Sequence, residues 1–283
     1  MHDLYKIEGC TNLHPEQLDG LEYNDPKYYP EFQNKLEEFK KTIIDNVEKK
    51  EGLVVMRVYD GEFLFLEGKK VGNVGKRHCS KKLNRKFIQP FREGCYKVDI
   101  ISVQLNKNME SYFSRVLPGL NISLPMDIIY GLFVNKWFLK TFKNKIALIG
   151  GEKKLNVIKE LMKYEEYRNY INNDYFLDYI TVPEIHSCDN CLEWIKDVGE
   201  KIKNSKADIF LYGIGISKMA VAHKFKEYKN SIFIDIGCGL SALAGTCGVD
   251  RPYFGNWINY RLKNYNYNGM DKMDFDDRNI KYL

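Results

Sequence analysis

No apolar run in this chain is long enough to span a bilayer; the best candidate, 128–142, is interrupted by Asn135, Lys136 and Lys140. The first residues, MHDLYKIEGC, lack the basic and apolar segments of a secretory signal. The seven cysteines are an odd number. Without a leader they are expected as free thiols in a reducing, cytoplasmic setting, not as a disulfide framework. A single C-x-x-C, Cys188 and Cys191 with His186 nearby, has no second pair at metal-site spacing. It reads instead as a helix start capped by Ser187 or Asp189, and no structural zinc is expected. No Walker loop and no G-x-S-x-G elbow occur, which removes two large enzyme classes. Internal repeats and low-complexity linkers are also missing. The charge balance, 43 Lys and Arg against 38 Asp and Glu, leaves only +5. That is too small and too dispersed to argue for nucleic acid, although it suits an anionic ligand such as a phosphate.

What is present is ordinary globular material. The 283 residues are 44% hydrophobic and 29% charged, with an aromatic share of 14% raised by 20 Tyr and 16 Phe. Disordered, collagen-like and coiled-coil classes are excluded. After an irregular arm rich in Asn, Asp, Pro and Tyr, residues 30–50 carry Phe32, Leu36, Phe39, Ile43, Ile44 and Val47 at helical spacing. Strands are expected at 53–58, 98–103, 145–149, 179–182, 209–212 and 231–236. Helices are expected at 80–91, 108–116, 126–142, after 150–151, at 188–203 and after 213–215. Strands alternating with helices predict an α/β, Rossmann-like, doubly wound and mostly parallel sheet. The expected organisation is an N-terminal arm and helix over 1–50, then a single domain over 51–283.

Three segments could carry chemistry. Arg57 lies in the apolar strand 53–58, and Asp60-Gly61-Glu62 follows it. If the strand runs on, alternation puts Asp60 and Glu62 on one side, where two carboxylates could hold Mg²⁺ or Mn²⁺ against a diphosphate; Arg57 would offset phosphate charge. A plain strand-ending turn is the alternative, since Asp-Gly is common in turns. The second segment is a strand running into Gly213-Ile214-Gly215-Ile216-Ser217-Lys218, whose backbone N–H groups with Ser217 and Lys218 could bind an anion. An ordinary strand-to-helix turn is equally compatible with it. The third, FIDIGCGLSALAG, looks like the cofactor-binding first motif of S-adenosylmethionine methyltransferases. That motif normally opens its sheet, whereas here it stands near the end of the sequence.

Arg57 and Asp60-Gly61-Glu62 after an apolar strand resemble the R-x-G-D-G-E signature of GT-D-type glycosyltransferases. A late strand, a Gly-containing loop and helix (212–222), and a strand ending in Asp-Ile-Gly (233–237) follow in the family's order, so that the resemblance spans 51–262. It implies a Rossmann-like fold and transfer of a sugar from a nucleotide-diphosphate sugar, a UDP-sugar in the first instance, to a glycan or glycoconjugate acceptor. It also implies Mn²⁺ or Mg²⁺ on Asp60 and Glu62. Tyr59 replaces the usual Gly, and Cys238 stands where many members have His. Arg251-Pro252-Tyr253 is similar to an R-x-Y element of some relatives. On this reading Gly213, Gly215, Ser217 and Lys218 bind phosphate or ribose, and Arg251 and Tyr253 face donor or acceptor. His78 is a candidate phosphate contact or base. Asp235, at a strand end, is either the catalytic base or a cap for the next turn. Two other classes stay open: an S-adenosylmethionine-dependent methyltransferase, and a non-catalytic carbohydrate-binding relative, which the missing His at Cys238 would favour.

Overall fold

Strand β1 (Leu53–Val58) is buried along its whole length, as expected of a strand with helices on both sides. Its side chains alternate: Leu53 and Val55 join one apolar cluster, and Val54, Met56 and Val58 join the other. The computed structural model describes residues 32–70, 77–103, 113–121, 124–134, 136–246, 258–268, 270 and 280–283. The remaining strands of the main sheet are β2 (Ile100–Val103), β3 (Leu124–Pro125), β4 (Ile146–Gly151), β5 (Tyr179–Val182), β6 (Ile209–Gly213) and β7 (Ile232–Asp235). All seven are parallel, in the order β3-β2-β1-β7-β6-β4-β5. The fold is therefore an α/β, Rossmann-like sheet wound on both faces. Strands β8 (Asn259–Arg261) and β9 (Ile280–Tyr282) form a separate parallel pair.

Helix α1 (Phe32–Lys49) lays Leu36, Phe39 and Ile43 into the first cluster, beside Ile232 and Ile234 of β7. The expected helix over 126–142 is two helices, α4 (Met126–Val134) and α5 (Trp137–Thr141), with Lys136 in the left-handed region at φ 59 between them. Helix α3 (Arg85–Cys95) starts later than the sequence suggested, where Asn84 accepts a hydrogen bond from the Phe87 N–H at 2.9 Å. The expected helix over 108–116 lies mainly outside the described residues; 113–116 is helical.

The connections decide where a ligand can enter. Helix α2 (Asp60–Leu66) follows β1 and buries Phe63, Phe65 and Leu66 in the second cluster. Helix α11 (Gly239–Leu243) follows β7 and buries Leu240 and Leu243 in the first. Neighbouring strands β1 and β7 thus send their helices to opposite faces, which opens a crevice at their carboxyl ends. Among the described residues no helix is long and apolar enough to cross a membrane.

Candidate functional site at the carboxyl edge

Four charged side chains meet at this crevice. Lys218 opens α9 (Lys218–Val221), and its Nζ lies 2.8 Å from Glu62 Oε1 and 2.8 Å from Asp235 Oδ2. Arg57 Nη2 lies 3.5 Å from Asp235 Oδ1. The residues are 5% (Arg57), 8% (Glu62), 5% (Lys218) and 0% (Asp235) exposed. Charges so deeply buried persist only in mutual compensation, and here two positive groups face two negative ones. Burial alone would depress the Lys218 ammonium, but Asp235 and Glu62 outweigh it and raise its pKa. Burial would raise the Asp235 carboxyl, but Lys218 and Arg57 bring it below its ordinary value.

Asp235 also does backbone work. The β1–β7 ladder pairs Val55 with Ile234. Beyond that point the Asp235 carboxylate takes over, accepting from the Arg57 N–H at 3.1 Å and from the Gly237 N–H at 3.0 Å. Both oxygens are committed, and the group is closed to solvent. Of the two roles expected for Asp235, the structure shows the cap for the next turn, through the Gly237 N–H, together with ion pairs to Lys218 and Arg57. Gly237 sits at φ +43, and a Cβ there would overlap the Arg57 guanidinium, so this turn accepts only glycine without displacing Arg57.

The strand does not continue through Asp60 and Glu62, which corrects their expected shared face. Tyr59 is the N-cap of α2, and Glu62, three residues on, accepts the Tyr59 N–H at 3.0 Å through Oε2. This is the Glu half of a capping box. Two residues apart on a helix, the carboxylates diverge: Asp60 is exposed, with Oδ1 accepting the Gly61 N–H at 2.7 Å, while Glu62 is buried. Both Glu62 oxygens are committed, one to Lys218 and one to Tyr59. Among the described residues no group of three or more His, Cys, Asp or Glu side chains is placed to hold a metal ion. As placed, Asp60 and Glu62 do not share a face, one being exposed and the other buried against Lys218.

The Gly213–Lys218 segment is turned inward more than its sequence suggested. Ser217 is fully buried, and its hydroxyl donates to the Ile214 carbonyl at 2.6 Å, so it closes the turn and is not presented to a ligand. A Cβ on Gly213 would lie 2.8 Å from the Gly237 carbonyl oxygen and 2.9 Å from Leu240 Cδ1. Its missing side chain therefore admits the β7 turn. Gly215 does face the edge, and the His78 ring covers it, 2.6 Å from where a Cβ would stand. Since Gly215 has φ +58, Gly215→Val is expected to cost about 1–2 kcal/mol in backbone strain alone and to push His78 aside. Thermal melts check this: a melting temperature equal to that of the wild type would show that the loop tolerates the change.

The structure thus brings Arg57, Glu62, Lys218 and Asp235 together, and places Gly213, Gly215 and His78 beside them. Arg251 and Tyr253 lie outside the described residues. Helix α8 (Cys191–Asn204) starts at Asn190, not at Ser187 or Asp189. Asp189 instead accepts from the Ser80 and Lys81 N–H groups, which ties the loop before α3 to this helix start. Burial pushes the Cys191 thiol up to about 11 and the Cys188 thiol well above its ordinary value; both are free. One contributor escaped sequence reasoning. Gly94 of α3 packs directly on the backbone of α9, where a Cβ would overlap the Met219 carbonyl oxygen. Gly94 lies past the end of the helix expected over 80–91, so the sequence pattern carries no signal of this contact.

No family model and no curated protein matches the chain. Solved structures do. One is a glycosyltransferase (DUF1792) from Streptococcus sanguinis, 12% identical over 70% of this chain and 79% of that one, with a TM-score of 0.43. A second, a DUF1792 domain described as having a distinct glycosyltransferase fold, is 12% identical over 78% and 76%, with a TM-score of 0.41. A selenomethionine-substituted DUF1792 structure is 14% identical over 94% and 89%, with a TM-score of 0.46. Similarity at this level carries no residue roles across.

Proposed function

We propose that the protein transfers a sugar from a nucleotide-diphosphate sugar, a UDP-sugar in the first instance, to a hydroxyl of a glycan or glycoconjugate acceptor. The observation that carries this reading is the ion cluster itself. Two fixed cations, Arg57 and Lys218, stand at the carboxyl edge of a doubly wound sheet, where neighbouring helices part. In such sheets ligands bind outside the carboxyl ends of the strands. Fixed positive charge there stabilises a leaving diphosphate without reorganising during the reaction. In the transfer the acceptor oxygen bonds to the anomeric carbon as the carbon–oxygen bond to the diphosphate breaks. The hydroxyl proton passes to a base, and the nucleoside diphosphate departs. The resemblance of the Arg57–Glu62 segment to the GT-D signature supports the same placement. Metal on Asp60 and Glu62 is not part of the reading, because the two carboxylates diverge.

The test is a thermal-shift panel of UDP-, GDP- and TDP-sugars and S-adenosylmethionine, each with EDTA and with Mn²⁺. A ligand that binds only the native state raises the melting temperature. A rise with a nucleotide sugar, UDP-sugars foremost, is expected. A rise with S-adenosylmethionine alone would replace this reading with the methyltransferase one, and no rise with any nucleotide sugar would sink it. Binding without release of nucleoside diphosphate in the presence of acceptors would mark a non-catalytic relative.

A further inference from the structure

We infer that Lys218 is the resident cation of the donor site: it occupies the space between Glu62 and Asp235 that a divalent ion would need, so that nucleotide-diphosphate binding requires no added metal. The inference rests on the nucleotide-sugar reading above for its ligand. Its geometry stands independently.

Three observations lead to it. The first is occupancy. Lys218 Nζ is 2.8 Å from a carboxylate oxygen on each side, and a divalent cation at ordinary coordination distances to the same oxygens would collide with it. The second is charge. Lys218 already supplies positive charge between Glu62 and Asp235, and a dication brought to the same two oxygens would stand against it as like charge. The third is donor supply. An ammonium has three N–H groups. Glu62 and Asp235 take one each, which leaves one for a phosphate oxygen. The position is built in, because Lys218 begins a helix that is clamped against α3 at Gly94 and its two acceptors are fixed by backbone N–H bonds of their own. A lysine in this place does what a bound ion does for a leaving diphosphate, supplying compact positive charge.

Calorimetry with UDP and with Mn²⁺ as probes tests it. For the wild type, UDP affinity is expected to agree within about twofold between EDTA and Mn²⁺, and Mn²⁺ alone should show no micromolar binding. Coupling of about tenfold or more between Mn²⁺ and UDP, or stoichiometric Mn²⁺ uptake by the wild type, would overturn the inference. Lys218→Gln should weaken UDP in EDTA by about tenfold, the loss of a charge-assisted contact. It should also gain Mn²⁺ binding through the released Glu62. Unchanged UDP affinity in that variant would overturn the inference. Should Lys218→Gln fail to fold, Glu62→Gln decides. This variant keeps an acceptor for the Tyr59 N–H and removes one counter-charge from Lys218, so UDP should bind as well or better in EDTA. Weaker UDP binding in EDTA would overturn the inference. If UDP binds under no condition, the nucleotide reading falls, and the Mn²⁺ titrations of the unliganded proteins still decide the question of occupancy.

Discussion

Asp235→Ala is expected to be the most damaging substitution in this protein, costing about 3–5 kcal/mol, the usual result of breaking a buried ion pair from one side. Among the described residues, Lys218 would keep only Glu62 as a counter-charge, and Arg57 would lose the carboxylate 3.5 Å away. Two backbone N–H groups, of Arg57 and Gly237, would lose the acceptor that the fully buried Asp235 provides. For a chain of this size the fall in melting temperature is roughly 10 °C. Asp235→Asn keeps one acceptor oxygen and the volume, and should lose less. Its pH dependence has a defined sign. Asp235 is held below the ordinary 3.8 by Lys218 and Arg57, so its stabilisation is fully present above pH 3.8 and is lost as pH falls through the lower folded value. Lys218 is held above 10.5, so its stabilisation is complete below pH 10.5 and is lost as pH rises through the higher folded value. The gap in melting temperature between wild type and Asp235→Asn should be flat between these limits and shrink below pH 3.8. A gap that already shrinks at neutral pH would contradict the ion-pair account.

The second large effect is expected far from any charge. Gly94→Ala would ordinarily stabilise a helix by up to about 1 kcal/mol. Here the added Cβ meets the Met219 carbonyl oxygen, which is backbone and has no rotamer to change. Helices α3 and α9 must separate, and the overpacking should cost about 3 kcal/mol, leaving a net loss of about 2. Because α9 carries Lys218 at its first residue, the separation should also draw the ammonium away from Glu62 and Asp235. A lower melting temperature together with weaker UDP binding is the expected pair of results. A variant at least as stable as the wild type would show that the two helices have slack.

The strands of the main sheet were legible because each is an apolar, β-branched run bounded by turn residues; β3, β8 and β9, at two or three residues, are too short to carry a period. Asp60-Gly61-Glu62 was misjudged for a local reason. Asp-Gly reads as a turn, and Tyr59 is a poor N-cap residue, so the Glu62 contribution to a capping box was hidden. Arg57, Glu62, Lys218 and Asp235 were each singled out, but as separate ligands for phosphate, metal or proton. That they neutralise one another depends on strand order. The order places β7 against β1, and periodicity within either strand carries no trace of it. Gly94 was invisible because its reason is another helix.

The pairing of β1 with β7 also sets a timetable for synthesis. Arg57 and Asp235 are 178 residues apart in the chain. At ordinary translation speeds, roughly 10–35 s separate the emergence of the first from that of the second. During that interval β1 can pair with β2 but has an open edge on its other side, with Arg57 and Glu62 lacking the partners they will have. The order of emergence therefore makes the last strand of the sheet both the closing piece of the fold and the completion of its charge cluster. A nascent chain stopped before residue 232 would hold an uncovered parallel edge and an unbalanced arginine at what becomes the centre of the molecule.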